Sequence, residues 1–386
     1  MINKQKTVQN LIAAGLLSTA LATTAATASQ LRHATGYAPG SMGAEATNNY
    51  ADALRDISGG TVTGKVFALS LLNWAEMSDG IRDGITDSGT VLFSYFPSTF
   101  PVNSMLAELS MVAQLGDVGS EQMGPAYAGA LSEYIFLHCP QCLTEFENQN
   151  QIFTGIGATS PYWLLCNEPV ASLEQIKGKR LRAAGANWSR WAQELGATPV
   201  TMSHNDVYEG LSQGVLDCTM MSTPELTLIN LMEVTTDITT GVPGGLFAGL
   251  AVSNVNKNTW AGLDQQQKES VMRAGASFSA DISWLYQMTH DKNMATARAS
   301  DRITVHEPAA DLVEATQNFI RTDSAKIGET YRENHNIEGA PEMVEQFIEI
   351  LNRWQAKVEG IESQEELAQL YWDEIFSKVD VSSYGQ

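Results

Sequence analysis

The residues able to do chemistry in this chain are few and scattered. Cys139-Pro140-Gln141-Cys142 forms a CxxC, with His138 beside it. In a thioredoxin-like strand-to-helix turn that spacing is a redox centre, and with two further ligands it is half of a zinc site. Here it follows the aromatic run 134–137 and no second ligand pair is visible, so a structural disulfide is the third reading. The six histidines (His33, His138, His204, His290, His306, His335) make no HExxH, and neither a GxSxG elbow nor a GxxxxGK[ST] phosphate loop occurs. No nucleophile stands beside a base, which moves weight from enzyme to binding protein. Arg182 is the exception among the charges. It sits in the apolar stretch LRAAG, beside Ala183, Ala184 and Gly185. A guanidinium buried there must be paired, and its planar fork suits two parallel hydrogen bonds to a carboxylate. That carboxylate belongs either to a ligand or to one of the protein's own many acids.

The rest of the chain bounds what such residues can serve. At roughly 150 residues per domain, 386 residues allow two or three domains. A composition 44% hydrophobic and 17% charged excludes disorder. With 23 Lys and Arg against 44 Asp and Glu, the net charge is -21 and no basic run occurs, so no nucleic-acid partner is expected. Lys4 and Lys6 precede the uncharged stretch LIAAGLLSTALATTAATA, and Ala26-Thr27-Ala28 has the small-x-small form of a signal-peptidase site. We expect a signal peptide over 1–28, cleaved after Ala28, because the apolar part is shorter than the ~20 residues a bilayer requires. Export makes the even count of cysteines (Cys139, Cys142, Cys166, Cys218) a disulfide question with three possible pairings.

Positioning elements alternate along the chain. Apolar runs predict strands over 31–35, 62–68 and 88–94. Between them lie a helix carrying Tyr50, Leu54 and Ile57, closed by Gly59-Gly60, and a second over 74–83. The middle repeats the rhythm, with strands over 161–170, 179–183, 197–202 and 215–220. Trp188, Trp191, Ala192 and Leu195 line one helical face. Ser203 and Asp206 have the spacing of a capping box for a helix over 205–213, and a further helix is expected over 225–234. Gly241, Pro243, Gly244 and Gly245 break the chain before another apolar strand expected over 246–253, and from Thr259 onward the pattern is almost wholly helical. This βαβ rhythm predicts an α/β fold with a largely parallel sheet, whose ligands bind at the carboxyl ends of its strands.

The block 173–217, LEQIKGKRLRAAGANWSRWAQELGATPVTMSHNDVYEGLSQGVLD, resembles the DctP-like solute-binding proteins of TRAP transporters. Their signature runs lkGlKiRvpg…lGa.pv.m…evy.aLq.GvvDg in the same order and spacing. Upstream, the GYAP loop holding Tyr37, the DISGG helix end and LLNWAEMSDGIRDGITDSGTVLFSYFP fit as well. The resemblance implies a bilobal, periplasmic-binding-protein-like fold: two α/β lobes with crossing strands around a cleft, and a helical C-terminal part. Residues 29–159 plus 247–286 would form one lobe, and 160–246 plus 287–386 the other, with 241–253 as the hinge crossing. It implies a periplasmic, monomeric receptor without cofactor or enzymatic activity. Such a receptor binds a small organic acid and delivers it to membrane permease subunits; a secreted enzyme or an ABC-type binding protein is the alternative. Arg182 occupies the position of the family's carboxylate-binding arginine, with Arg180 as its flank. Tyr37, Trp74, Tyr95, Phe96, Tyr162, Trp188 and Phe247 fall in or near the cleft segments. Met221 stands where sialic-acid-type members carry asparagine, and their second arginine is missing from SPYWLLC. The expected ligand is therefore a monocarboxylate with an apolar or aromatic body. Cys166 and Cys218, in two strands of one implied lobe, are expected to pair, leaving Cys139 and Cys142 to close their own short loop.

Overall fold

The computed structural model describes residues 28–115 and 120–386; the expected signal peptide over 1–28, but for Ala28, lies outside them. Twelve strands are present among the described residues: β1 (Ser29–Thr35), β2 (Val62–Ala68), β3 (Ser88–Leu92), β4 (Gln151–Ile152), β5 (Ile156–Gly157), β6 (Tyr162–Cys166), β7 (Arg180–Ala183), β8 (Thr198–Thr201), β9 (Cys218–Ser222), β10 (Asp237–Thr239), β11 (Leu250–Asn256) and β12 (Thr304–His306). They form two six-stranded sheets. The first has the order β2-β1-β3-β11-β4, with β5 also on β11; the second runs β12-β10-β6-β9-β7-β8.

The sheets are mixed, a correction to the largely parallel expectation. β1 lies parallel to β2 and β3, and β7 to β8 and β9, whereas β11 is antiparallel to β3 and β6 to β9 and β10. The reason is connectivity. A parallel neighbour needs a crossover, usually a helix, but β6 and β11 are each entered directly from the other half, after β5 and β10. These two crossings and the helix Gln265–Arg298, which packs on Met42–Ile57 and β5 and runs on toward β12, join the halves. That helix opens with a complete capping box between Asp264 and Gln267.

Several local expectations shift. Ser203 makes no cap bond: a 3-10 turn, His204–Asp206, precedes the helix Val207–Ser212, because the cleft holds the His204 backbone, as described below. The helix expected over 225–234 stops at Leu228, where Asn230 turns left-handed (φ 59°). β11 starts at Leu250, so 240–249 is an irregular crossing and only its end is strand. The C-terminal allotment also changes. Helix Ala340–Lys357 packs on Ser120–Glu133, with Trp354 Nε1 donating to Glu133 Oε2 (2.6 Å), and Gln364–Glu374 packs on Gln265–Arg298. Their apolar stripes therefore bury against the first half, not the second as the 287–386 allotment had it.

The structure pairs Cys166 with Cys218, direct partners across β6 and β9 with Cα atoms 4.1 Å apart. It pairs Cys139 with Cys142 at the start of the helix Pro140–Asn148. All four are buried, and a thiol shielded from solvent is inert as a redox centre.

Candidate ligand site

Loops at the carboxyl ends of strands from both sheets converge between the halves. Tyr37 follows β1, Trp74 follows β2, and Tyr95 follows β3; Arg182 and Ala184 lie at the end of β7, His204 beyond β8, and Glu225 beyond β9. With Tyr162, Phe247 and Tyr286 they line one pocket of about 370 Å³ of atom-free space, part of it open to solvent. Strand ends collect ligand contacts because side chains there project past the sheet edge into a crevice. Two glycines make the rings fit. A Cβ on Gly36 would sit 2.3 Å from the Trp74 ring, and one on Gly43 would sit 2.4 Å from Tyr37.

Arg182 is 1% exposed, the one fully buried arginine among the described residues. Its Nε donates to the Met202 carbonyl (3.1 Å) and its Nη2 to Tyr95 Oη (3.1 Å), while Nη1 has no partner among the described residues. Nearby arginines behave differently. Arg180, largely exposed, is matched by Asp217, whose carboxylate also accepts the Arg180 backbone N–H (2.7 Å). Arg190 holds Asp323 (2.7 Å) and Glu108 (2.9 Å). No carboxylate of the described residues lies within 4 Å of Arg182.

Around it the polar groups form a short chain. Tyr95 Oη accepts the His204 backbone N–H (2.9 Å) as well as Arg182, so its own proton stays free to donate. His204 Nε2 lies 2.6 Å from Glu225 Oε2, and Glu225 is 1% exposed. Tyr37 and Tyr286 share a hydrogen bond across the pocket (3.1 Å). Burial pushes the phenols of Tyr37, Tyr162 and Tyr286 upward, with Glu225 adding to the rise and Arg182 opposing it at Tyr162. All three are neutral walls at physiological pH.

Six of the nine expected ligand-site residues, Tyr37, Trp74, Tyr95, Tyr162, Arg182 and Phe247, line this pocket. Three do not. Phe96 lies outside it, on the wider mouth with Pro97 and Ser203. Trp188 stands behind the wall, stacked on Tyr162 and Phe247, with its Nε1 donating to the Gly244 carbonyl (2.7 Å). Met221 points into a separate core with Leu165, Val207 and Leu211, because neighbouring residues of a strand face opposite ways. His204, Glu225 and Tyr286 line the pocket without having been expected. His204 and Glu225 follow predicted strands, a signal that was available; Tyr286 is one turn of a long helix and carried none. No helix of the described residues is long and apolar enough to cross a membrane.

Two relatives share part of this sequence. A solute-binding protein of Albidiferax ferrireducens is 26% identical over 109 residues, 28% of this chain and 32% of the relative. The uncharacterized protein YiiZ of Salmonella typhimurium is 25% identical over 206 residues, 45% and 63% of the two. The chain thus spans less than two thirds of each. Solved structures share the fold. A TRAP solute-binding protein from an unidentified marine microbe, specific for aromatic acid ligands, superposes with a TM-score of 0.73 at 19% identity over 84% of this chain and 99% of its own. A Bordetella pertussis extracytoplasmic solute receptor binding pyroglutamic acid gives 0.67 at 18%, over 84% and 100%. The family model for bacterial extracellular solute-binding protein family 7 matches residues 143–376, and with two sheets of this topology around an arginine-bearing pocket, the chain belongs to that family, DctP.

Proposed function

We propose that the protein is the extracytoplasmic receptor of a TRAP-type transporter, capturing a small organic monocarboxylate between its halves and passing it to membrane permease subunits. The observation that carries this reading is Arg182. A buried guanidinium with one nitrogen unpartnered and no carboxylate of its own is costly unless a ligand completes it. Tyr95 stands beside it as a second donor for the same carboxylate. Tyr37, Trp74, Tyr162 and Phe247 then form the walls for an apolar or aromatic body. Glu225, buried on the same pocket, disfavours a second carboxylate and so a dicarboxylic acid. The similar structures named for aromatic acids and pyroglutamic acid support the same ligand class.

The receptor returns its ligand unchanged. His204 and Glu225 would suit acid–base work, but no serine or cysteine of the described residues lines the pocket, and Thr159 Oγ1 is committed to the Ser160 carbonyl and the Phe247 N–H. The first lobe comprises 29–159, most of 247–286 and the helices of 340–374; the second is built on 160–246. Export to the periplasm with cleavage after Ala28 would place β1 at the mature terminus, and the receptor acts as a monomer. Thermal shift and calorimetric titration with benzoate, 3-hydroxyphenylacetate, pyroglutamate and succinate test the ligand class. One of the monocarboxylates should stabilise the fold, by about 2.7 kcal/mol at a hundredfold excess over Kd, and succinate should not. Preference for uncharged or cationic solutes would overturn the reading.

A further inference from the structure

Three buried polar atoms on residues of this pocket have no partner among the described residues: Arg182 Nη1, Trp74 Nε1 and His204 Nδ1. Buried polar groups are almost always hydrogen-bonded, so each orphan points to a missing partner. Their chemistry differs. Arg182 Nη1 and Trp74 Nε1 only donate. His204 Nε2 faces the Glu225 carboxylate at 2.6 Å, a contact that favours the tautomer with the proton on Nε2 and Nδ1 left as an acceptor. A ligand carboxylate accepts only. It completes Arg182 but leaves the His204 acceptor unanswered.

We propose, resting on the receptor reading above, that the ligand carries a second group that both accepts and donates a hydrogen bond, and that Trp74 and His204 select for it. A hydroxyl or a cyclic amide meets this demand: it accepts from Trp74 Nε1–H and donates to His204 Nδ1. The two rings stand edge to face with centroids 6.5 Å apart, and both line the same pocket. Each ring is held before the ligand arrives. Gly36 lets the Trp74 indole lie flat on the β1 loop, and Glu225 together with Tyr95 fixes His204 from both its side chain and its backbone. A plain apolar acid would fill the space and leave both atoms stranded, which is how a site rejects an analogue lacking one polar group.

The test is a comparison of matched acids by calorimetry on the full mature protein. Benzoate is set against its 2-, 3- and 4-hydroxy derivatives, phenylacetate against mandelate, and cyclopentanecarboxylate against pyroglutamate. At least one polar member should bind tenfold or more tightly than its partner; the first two sets report a hydroxyl and the third an amide. In Trp74→Phe and in His204→Phe the ratio within that pair should fall to about twofold or less, whatever the overall loss of affinity. Equal binding within every pair in the parent protein overturns the proposal, as does a ratio that survives both substitutions. If no acid binds at all, the receptor reading fails and this one with it; if acids bind without discrimination, only the present proposal falls.

Discussion

The two halves of the molecule meet at one pocket and bring different things to it. The first sheet sends rings and aliphatic side chains: Tyr37, Trp74 and Tyr95 after β1, β2 and β3, Leu92 at the end of β3, and Leu250 from β11. The second sheet sends the polar groups Arg182, His204 and Glu225, with a single ring, Tyr162 at the start of β6. The supports differ accordingly. Aromatic walls are positioned by packing, as the edge-to-face contact of Tyr37 on Trp74 (4.9 Å) shows, whereas buried charges need fixed strands beneath them. The second sheet has such a fixture in the Cys166–Cys218 bridge between β6 and β9, next to β7 with Arg182. Division of labour of this kind lets one half choose the body of a ligand and the other its head group.

The largest expected effect tests the fixture. The Cys166–Cys218 bridge closes a loop of 52 residues and the Cys139–Cys142 bridge one of only 3. Loop-closure entropy then assigns about 4 kcal/mol to the first and about 2 kcal/mol to the second. Denaturant melts of Cys166→Ser/Cys218→Ser and Cys139→Ser/Cys142→Ser should reproduce that order, and equal losses would remove the distinction between the halves. Next comes the charge itself. Arg182→Ala should weaken acid binding at least a hundredfold, about 2.8 kcal/mol, because the ligand carboxylate is then buried unpaired. Arg182→Lys should recover part of it, keeping the charge without the fork. Calorimetric affinity matching the parent's would show the second half is not the head-group reader.

A pH effect of comparable size belongs to the first half. Asp281, on the long helix, is buried with Asn49 as its hydrogen-bond donor (2.9 Å), and burial raises its pKa from 3.8 to about 6. A carboxyl raised in the folded state contributes stability that is full below pH 3.8 and is lost as pH rises through about 6. Asp281→Asn keeps the bond to Asn49 and removes the titration. Its stability relative to the parent should therefore climb by roughly 2 kcal/mol between pH 4 and pH 7; a flat difference in urea melts across that range would place the carboxylate in solvent. The smallest effect is Arg180→Ala. Its pair with Asp217 is at the surface, with the arginine side chain 45% exposed, so stability should barely change and acid affinity should stay within twofold.

By itself the sequence determined the elements and their chemical character. Period-two apolar runs marked β1, β2, β7 and β8 within a few residues, paired glycines closed the helix Met42–Ile57, and a lone arginine among alanines announced a buried cation in need of a partner. These signals are local: a strand's alternation, a helix's cap and a charge's desolvation are set by neighbours along the chain. Which face of a strand looks into the cleft is not local. Met220 and Met221 are equally apolar, yet Met220 packs near Gly244 on the crossing while Met221 turns into the other core. The parallel reading of the sheets failed for the same cause, since strand direction depends on which half the chain has just left. His204 and Glu225 are 21 residues apart, and Tyr37 and Tyr286 are 249 apart, so neither pair leaves a pattern in any window of sequence. Tertiary structure alone decided that Arg180 and Arg190 find the protein's own carboxylates and Arg182 does not, because only the folding of two sheets around one crevice sets which acids come within reach of which base.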